Sequence, residues 1–120
     1  NEMNNLDLNS LYPEGTILLD PHKVDIYGWE SRKLESQISD MREFLIKGGL
    51  LPRVNLIKID ETTYQLDRTE FRGGKRDGGH KRTYVAYETG LPIPAVITGR
   101  NEKVKYFRIK PHPVKDMDLY

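Results

Sequence analysis

A short run near the middle of the chain combines glycines with basic side chains in a way that suits anion binding. It consists of Asp77, Gly78, Gly79, His80, Lys81 and Arg82. Glycine has no Cβ, so its backbone can approach an anion closely, and the start of a helix carries partial positive charge. Lysine and arginine add permanent charges. The run therefore predicts a phosphate-binding site, in which His80 is also a candidate catalytic residue.

The surroundings of this run are strongly positive, although the 120-residue chain has a formal net charge of only +1. Residues 68–82 contain six lysines or arginines and two acids. Such a local field attracts phosphates, so nucleic-acid contacts are predicted at Arg68, Arg72, Lys75 and Arg76. The alternative interpretation is a plain turn between two elements, with its charges in solvent.

Composition excludes several classes of site. The chain has no cysteine, which excludes disulfides, thiolate metal sites and cysteine nucleophiles. Its three histidines have no metal-ligand spacing, and we predict no metal site. No apolar run approaches the roughly 20 residues that cross a bilayer. We therefore expect a cytoplasmic protein with no membrane partner.

Two helices are predicted to position the run. A helix at 31–47 has an apolar stripe at spacings of three and four residues, with Ser31 as its N-cap and glycines at its end. A second helix is predicted at 78–88, with Asp77 as its N-cap and Gly90 as its end.

Short runs rich in β-branched residues, bounded by turn residues, predict the strands. They lie at 16–20, 54–59, 64–67, 92–97 and 103–109, and the second and third form a hairpin; residues 21–30 are predicted to be a connecting loop. The fold class is therefore α+β, a compact mixed sheet with two main helices. The predicted organisation is an N-terminal arm at 1–15, one domain at 16–110 and a C-terminal tail at 111–120.

The run and its continuation resemble the central motif of the ParB/sulfiredoxin superfamily. The continuation consists of Val85-Ala86, Gly90-Leu91 and Ile93-Pro94-Ala95-Val96-Ile97. Members typically have Gly-x-His/Arg-Arg at a helix start, an alanine within the helix, a glycine turn and Ile-Pro-Ala-x-Val on the next strand. The order of elements is also similar, so the resemblance covers residues 16–98. His80-Lys81-Arg82 is closest to the Asp-Gly-His-His-Arg form of the ParB-like kinases and nucleases.

The resemblance implies a nucleotide (ATP, ADP or CTP) with Mg²⁺ at the helix start. It also implies a nucleotide, DNA or both as partners, and a homodimer remains an open alternative. Sulfiredoxins use a cysteine after the glycines, which this chain lacks, so sulfinic-acid reduction is excluded. Partition proteins also append a helix-turn-helix DNA reader, for which these 120 residues have no room, so we expect no sequence-specific operator binding by this chain alone.

Three hypotheses about function follow. The first is a ParB-like domain of the partition or nuclease type, which binds the phosphate of a nucleotide or of a nucleic-acid backbone. The second is a nucleotide-dependent phosphotransferase or hydrolase with Glu30 as base, because a glutamate in a similar loop is the base of ParB-like kinases. Glu30 could equally be a solvated acid near a helix start. The third is a non-catalytic interaction module.

Overall fold

The computed structural model describes residues 10–67, 78–100 and 111–120, which form a mixed α+β fold. In chain order the elements are β1 (Ile17–Leu19), β2 (Asp25–Gly28), β3 (Arg32–Lys33), α1 (Glu35–Ile46), β4 (Val54–Lys58), β5 (Thr63–Leu66), α2 (His80–Thr89), β6 (Ile93–Arg100), β7 (His112–Pro113) and β8 (Asp118–Leu119). A 3₁₀ turn at Val114–Asp116 separates β7 from β8.

Six strands form one mixed sheet in the order β1-β6-β4-β5-β2-β7, and β3 pairs with β8 in a separate two-stranded sheet. The predicted hairpin is confirmed as the antiparallel pair β4–β5. The pairs β2–β5 and β4–β6 are parallel. The predicted α+β class is therefore confirmed. The loop predicted at 21–30 is wrong in part, because β2 lies inside it.

The main core lies on one face of this sheet. Its strand residues alternate along β4 and β5, which places them on the same side; they are Val54, Leu56, Tyr64 and Leu66. Ala86 of α2 packs against them, and Met41 and Leu45 of α1 lie at the edge of the same cluster. A smaller cluster joins α1 to α2 through Ile38 and Val85. Packing on this sheet face and on α1 therefore holds α2 in place.

Helix α1 begins later than its sequence pattern predicts. Its N-cap is Leu34 rather than Ser31, so the predicted cap is wrong. Arg32 and Lys33 pair with β8, and this tertiary pairing withdraws them from the helix. The first helical amide, of Glu35, donates to the backbone oxygen of Tyr120 at 2.8 Å. The predicted glycine end is confirmed, with Gly48 in the left-handed region.

Residues 111–120, placed in a tail by the sequence, pack within the fold. Strand β7 pairs with β2, and β8 pairs with β3. Between these strands Val114 and Met117 are buried in the two core clusters. At the other end of the chain, Tyr12 of the predicted arm donates its hydroxyl to the Leu51 carbonyl at 2.7 Å. Residues on both sides of the predicted domain therefore contribute to it.

Hydrogen bonds of Tyr87 and Arg42 hold α2 against the neighbouring elements. The partly buried Tyr87 hydroxyl accepts from the Ile26 amide at 3.0 Å and donates to the Val24 carbonyl at 2.9 Å. This burial raises the pKa of Tyr87 to about 12. On the other side, Arg42 of α1 makes a two-point contact with the Glu88 carboxylate. Both contacts hold the orientation of α2 relative to the strands and to α1.

Parts of the sequence prediction fall outside the described ranges, namely residues 1–9 of the arm and the strand at 103–109. Within those ranges, neither α1 nor α2 is long and apolar enough to cross a membrane.

Replacing Met117 by alanine tests whether residues 111–120 belong to the fold. The side chain is 4% exposed, so we expect Met117→Ala to lower the free energy of unfolding by about 2–5 kcal/mol. Asp116→Ala, at an exposed neighbouring position, is the control and should stay within about 0.5 kcal/mol of wild type. Urea denaturation measures both, and equal small effects would place this segment outside the core.

Candidate functional site

The imidazole of His80 joins the start of α2 to the end of β2. His80 is the first residue of α2 and its side chain is fully buried. Its Nε2 accepts hydrogen bonds from the backbone amides of Trp29 at 3.1 Å and Glu30 at 3.3 Å. The Trp29 indole meets the imidazole edge-on, with ring centroids 4.4 Å apart. A nitrogen that accepts from two amides carries no proton, so the geometry assigns the proton to Nδ1.

Three glycines make this junction possible. A Cβ on Gly28 would overlap His80 Nε2, and a Cβ on Gly78 would overlap the Trp29 indole. A Cβ on Gly79 would press against Val54 and Leu66. Gly78 and Gly79 also have φ values of 69° and 105°, which residues with a side chain rarely adopt. Close packing and backbone conformation therefore account for these glycines.

Glu30 lies beside this junction in an ion pair. Its Oε2 is 2.7 Å from the Lys33 ammonium and 3.8 Å from His80 Nδ1. The Lys33 side chain is 8% exposed, whereas that of Glu30 is 29% exposed. The structure thus brings two sequence-predicted residues, Glu30 and His80, together and adds Lys33. The sequence assigned Lys33 to a helix and gave no signal for this role.

The first turn of α2 presents the predicted basic residues. The N-cap is Gly79, so the predicted N-cap at Asp77 is wrong, because the two left-handed glycines delay the helix. Lys81 and Arg82 are partly exposed. The Arg82 guanidinium donates to the backbone carbonyl of Arg53, just before β4. Asp77 and the predicted nucleic-acid contacts Arg68, Arg72, Lys75 and Arg76 lie outside the described residues.

The start of α2 lies at the edge of the sheet where the parallel strands β2 and β5 end. Glu30 follows β2, and Asp67 follows β5. Asp67 is 8% exposed and its Oδ2 accepts from the Thr98 hydroxyl at 2.5 Å. Ligands of α/β proteins bind beyond the carboxyl ends of parallel strands. The start of α2 therefore lies at this edge together with two acidic and several basic side chains.

Other parts of the described structure lack this combination. A cleft of about 600 Å³ opens at the opposite end of β2, between the β1–β2 connection, α2 and the 3₁₀ turn. It contains none of the predicted site residues. Among the residues that the structure describes, no three His, Asp or Glu side chains gather as metal ligands. Mg²⁺ bound with a nucleotide is held largely by phosphate oxygens and water, with only one or two carboxylates from the protein.

Comparisons of the chain with protein-family models, curated proteins and solved structures find no match. The resemblance to the ParB/sulfiredoxin superfamily therefore rests on the motif at residues 77–97 and on the order of elements.

Replacing Gly28 by alanine tests the junction, because the added methyl group would compete with His80 Nε2. We expect a loss of about 1–3 kcal/mol in the free energy of unfolding. The same change should cost less in a His80→Ala background, where the imidazole is gone.

Gly49→Ala is the matched control for this substitution. Its methyl group would meet the ring of Phe44, which is 47% exposed and can turn into solvent. We expect its free energy of unfolding to stay within about 1 kcal/mol of wild type. Equal losses at the two glycines would contradict the junction as a special constraint.

Proposed function

We propose that this chain is a phosphate-binding domain that takes the phosphate of a nucleotide or of a nucleic-acid backbone at the first turn of α2. The observation that carries the proposal is the position of this turn. It opens at the carboxyl edge of β2 and β5, next to Lys81, Arg82 and the Glu30–Lys33 pair. Helix starts favour anionic ligands, and the carboxyl ends of parallel strands are a common place for ligand sites.

Rigidity of the turn supports the proposal. The His80 imidazole and the Trp29 indole fill the space on its inner side, and Arg82 is tied to the start of β4. An anion site whose amides are held in place needs little reorganisation when the ligand arrives. The positive charge of residues 68–82 adds long-range attraction for phosphates.

A second candidate function is phosphoryl transfer with Glu30 as base, and the position of Glu30 favours it. The carboxylate is partly exposed and lies beside the first residue of α2. A substrate hydroxyl would pass its proton to Glu30 while its oxygen bonds to the terminal phosphorus of a nucleoside triphosphate. The bond from that phosphorus to the bridging oxygen then breaks, and nucleoside diphosphate leaves.

Nucleotide binding should raise the melting temperature of the wild-type protein. ATP, ADP or CTP with Mg²⁺ at 100 times its Kd would add about 2.7 kcal/mol of stability, which is a shift of several degrees in a domain of this size. In Lys81→Ala/Arg82→Ala this shift should vanish, because two phosphate donors are lost. Thermal shift measures the effect relative to each variant without ligand.

The matched control is Lys23→Ala/Lys115→Ala, which removes the same charge at the opposite cleft and should keep the full shift. A shift that survives in Lys81→Ala/Arg82→Ala would move the site elsewhere. If wild type shows no shift with any nucleotide, binding to single-stranded and duplex DNA is measured at rising salt. This measurement tests whether the ligand is the phosphate of a nucleic-acid backbone. Backbone binding must weaken steeply with salt, and salt-independent or absent binding would end the phosphate proposal.

Glu30→Gln separates binding from chemistry. The amide keeps the shape of the side chain but cannot accept the proton, so turnover should fall by about 10²-fold or more while the nucleotide-induced thermal shift is kept. Glu61→Gln, which alters an exposed glutamate paired with Lys58, should leave both unchanged. Loss of the thermal shift in Glu30→Gln would make Glu30 a structural residue.

A further inference from the structure

Lys33 is an unusual residue for the interior of a small domain. Lysine is rarely buried unless its charge is paired, yet the Lys33 side chain is 8% exposed with its ammonium 2.7 Å from Glu30 Oε2. Its backbone is fixed by the β3–β8 pairing, and its carbonyl accepts from the Tyr120 amide at 3.1 Å. The ammonium therefore extends from a backbone whose position is fixed by this pairing.

Glu30 is held at two points by different partners. Its backbone amide donates to His80 Nε2, and its Oε2 accepts from Lys33. Within the part of the chain that the structure describes, the other carboxylate oxygen, Oε1, accepts no hydrogen bond. One oxygen is thus restrained and the second is available to a ligand.

Stability alone does not explain this pair. Desolvating two charges offsets much of their attraction, and an apolar pair of similar volume is often equally stable. The position of the pair gives a better explanation, because Glu30 lies beside the helix start where an anion would bind. An uncompensated carboxylate there would repel a phosphate, and the Lys33 ammonium cancels that charge.

We propose that Lys33 is a positioning residue that acts on the phosphate site through Glu30. It restrains Oε2, leaves Oε1 available and neutralises the carboxylate, so that a phosphate can lie at the first turn of α2. The inference rests on the proposed phosphate site and deepens it.

The test measures the affinity of inorganic phosphate and of ADP for a set of variants of the full chain. In Lys33→Met the uncompensated Glu30 carboxylate should weaken phosphate binding about tenfold, since it would repel the like charge of the phosphate. In Glu30→Gln/Lys33→Met the affinity should return to within about threefold of wild type, because no charge is left to cancel. Lys33→Arg should retain most of the binding.

Lys115→Met is the control, since it removes an equally charged lysine from an ion pair with Asp25 at the other end of the domain. It should leave the affinities unchanged. If Lys33→Met does not fold, Lys33→Gln enters the same comparison. The proposal is overturned if Lys33→Met binds phosphate as wild type does, or if the double variant binds no better than Lys33→Met, since Lys33 would then not act through Glu30.

Turnover is measured on the same variants and decides a separate question. With Glu30 as base, Lys33→Met should lower kcat about tenfold or more, because Oε2 loses its restraint and the base is less well positioned. The KM for the acceptor substrate should change little. The double variant should be no slower than Glu30→Gln. Absence of turnover in wild type would remove the base role of Glu30, while the phosphate affinities still decide the role of Lys33. Absence of phosphate and ADP binding in wild type would overturn both the site and this inference.

Discussion

The hydrogen bonds from the Trp29 and Glu30 amides to His80 Nε2 are the constraint on which the rest of this site depends. They bring the end of β2 against the first residue of α2, and only a glycine at position 28 leaves room for the imidazole. Leaving the buried Nε2 without these two donors would lower the free energy of unfolding. The backbone position of Glu30 beside the start of α2 follows from this one contact.

Packing at the same junction explains the two glycines before α2. Glycines before a basic helix start suggest clearance for an anion, but the space beside Gly78 is filled by the Trp29 indole and that beside Gly79 by Val54 and Leu66. The glycines are therefore explained by packing and by their positive φ values. The proposed phosphate site depends instead on the basic residues and on the position of the helix start at the sheet edge.

The elements that sequence could predict are those whose signal is local. Helix α2 has its glycine end, and the β4–β5 hairpin has alternating residues around a short turn, so both were predicted. Strands β2, β3 and β8 have two to four residues and pair with distant segments, as Lys33 does with Leu119. No local periodicity marks them, and Lys33 therefore looked like a residue of α1. The run at residues 77–82 can be recognised because its residues are adjacent in the sequence. The ion pair of Lys33 depends instead on where the tertiary fold places its side chain.

The charges at the sheet edge bear on the choice between binding and chemistry. A carboxylate beside a bound phosphate repels it unless the charge of the carboxylate is compensated. Here Glu30 is held at its amide and at one oxygen, and a buried lysine compensates its charge. A restrained carboxylate with one oxygen that accepts no hydrogen bond from the described residues could accept a proton from a substrate hydroxyl within hydrogen-bond reach. The arrangement of Glu30 and Lys33 is therefore the observation on which the second candidate function, phosphoryl transfer, depends.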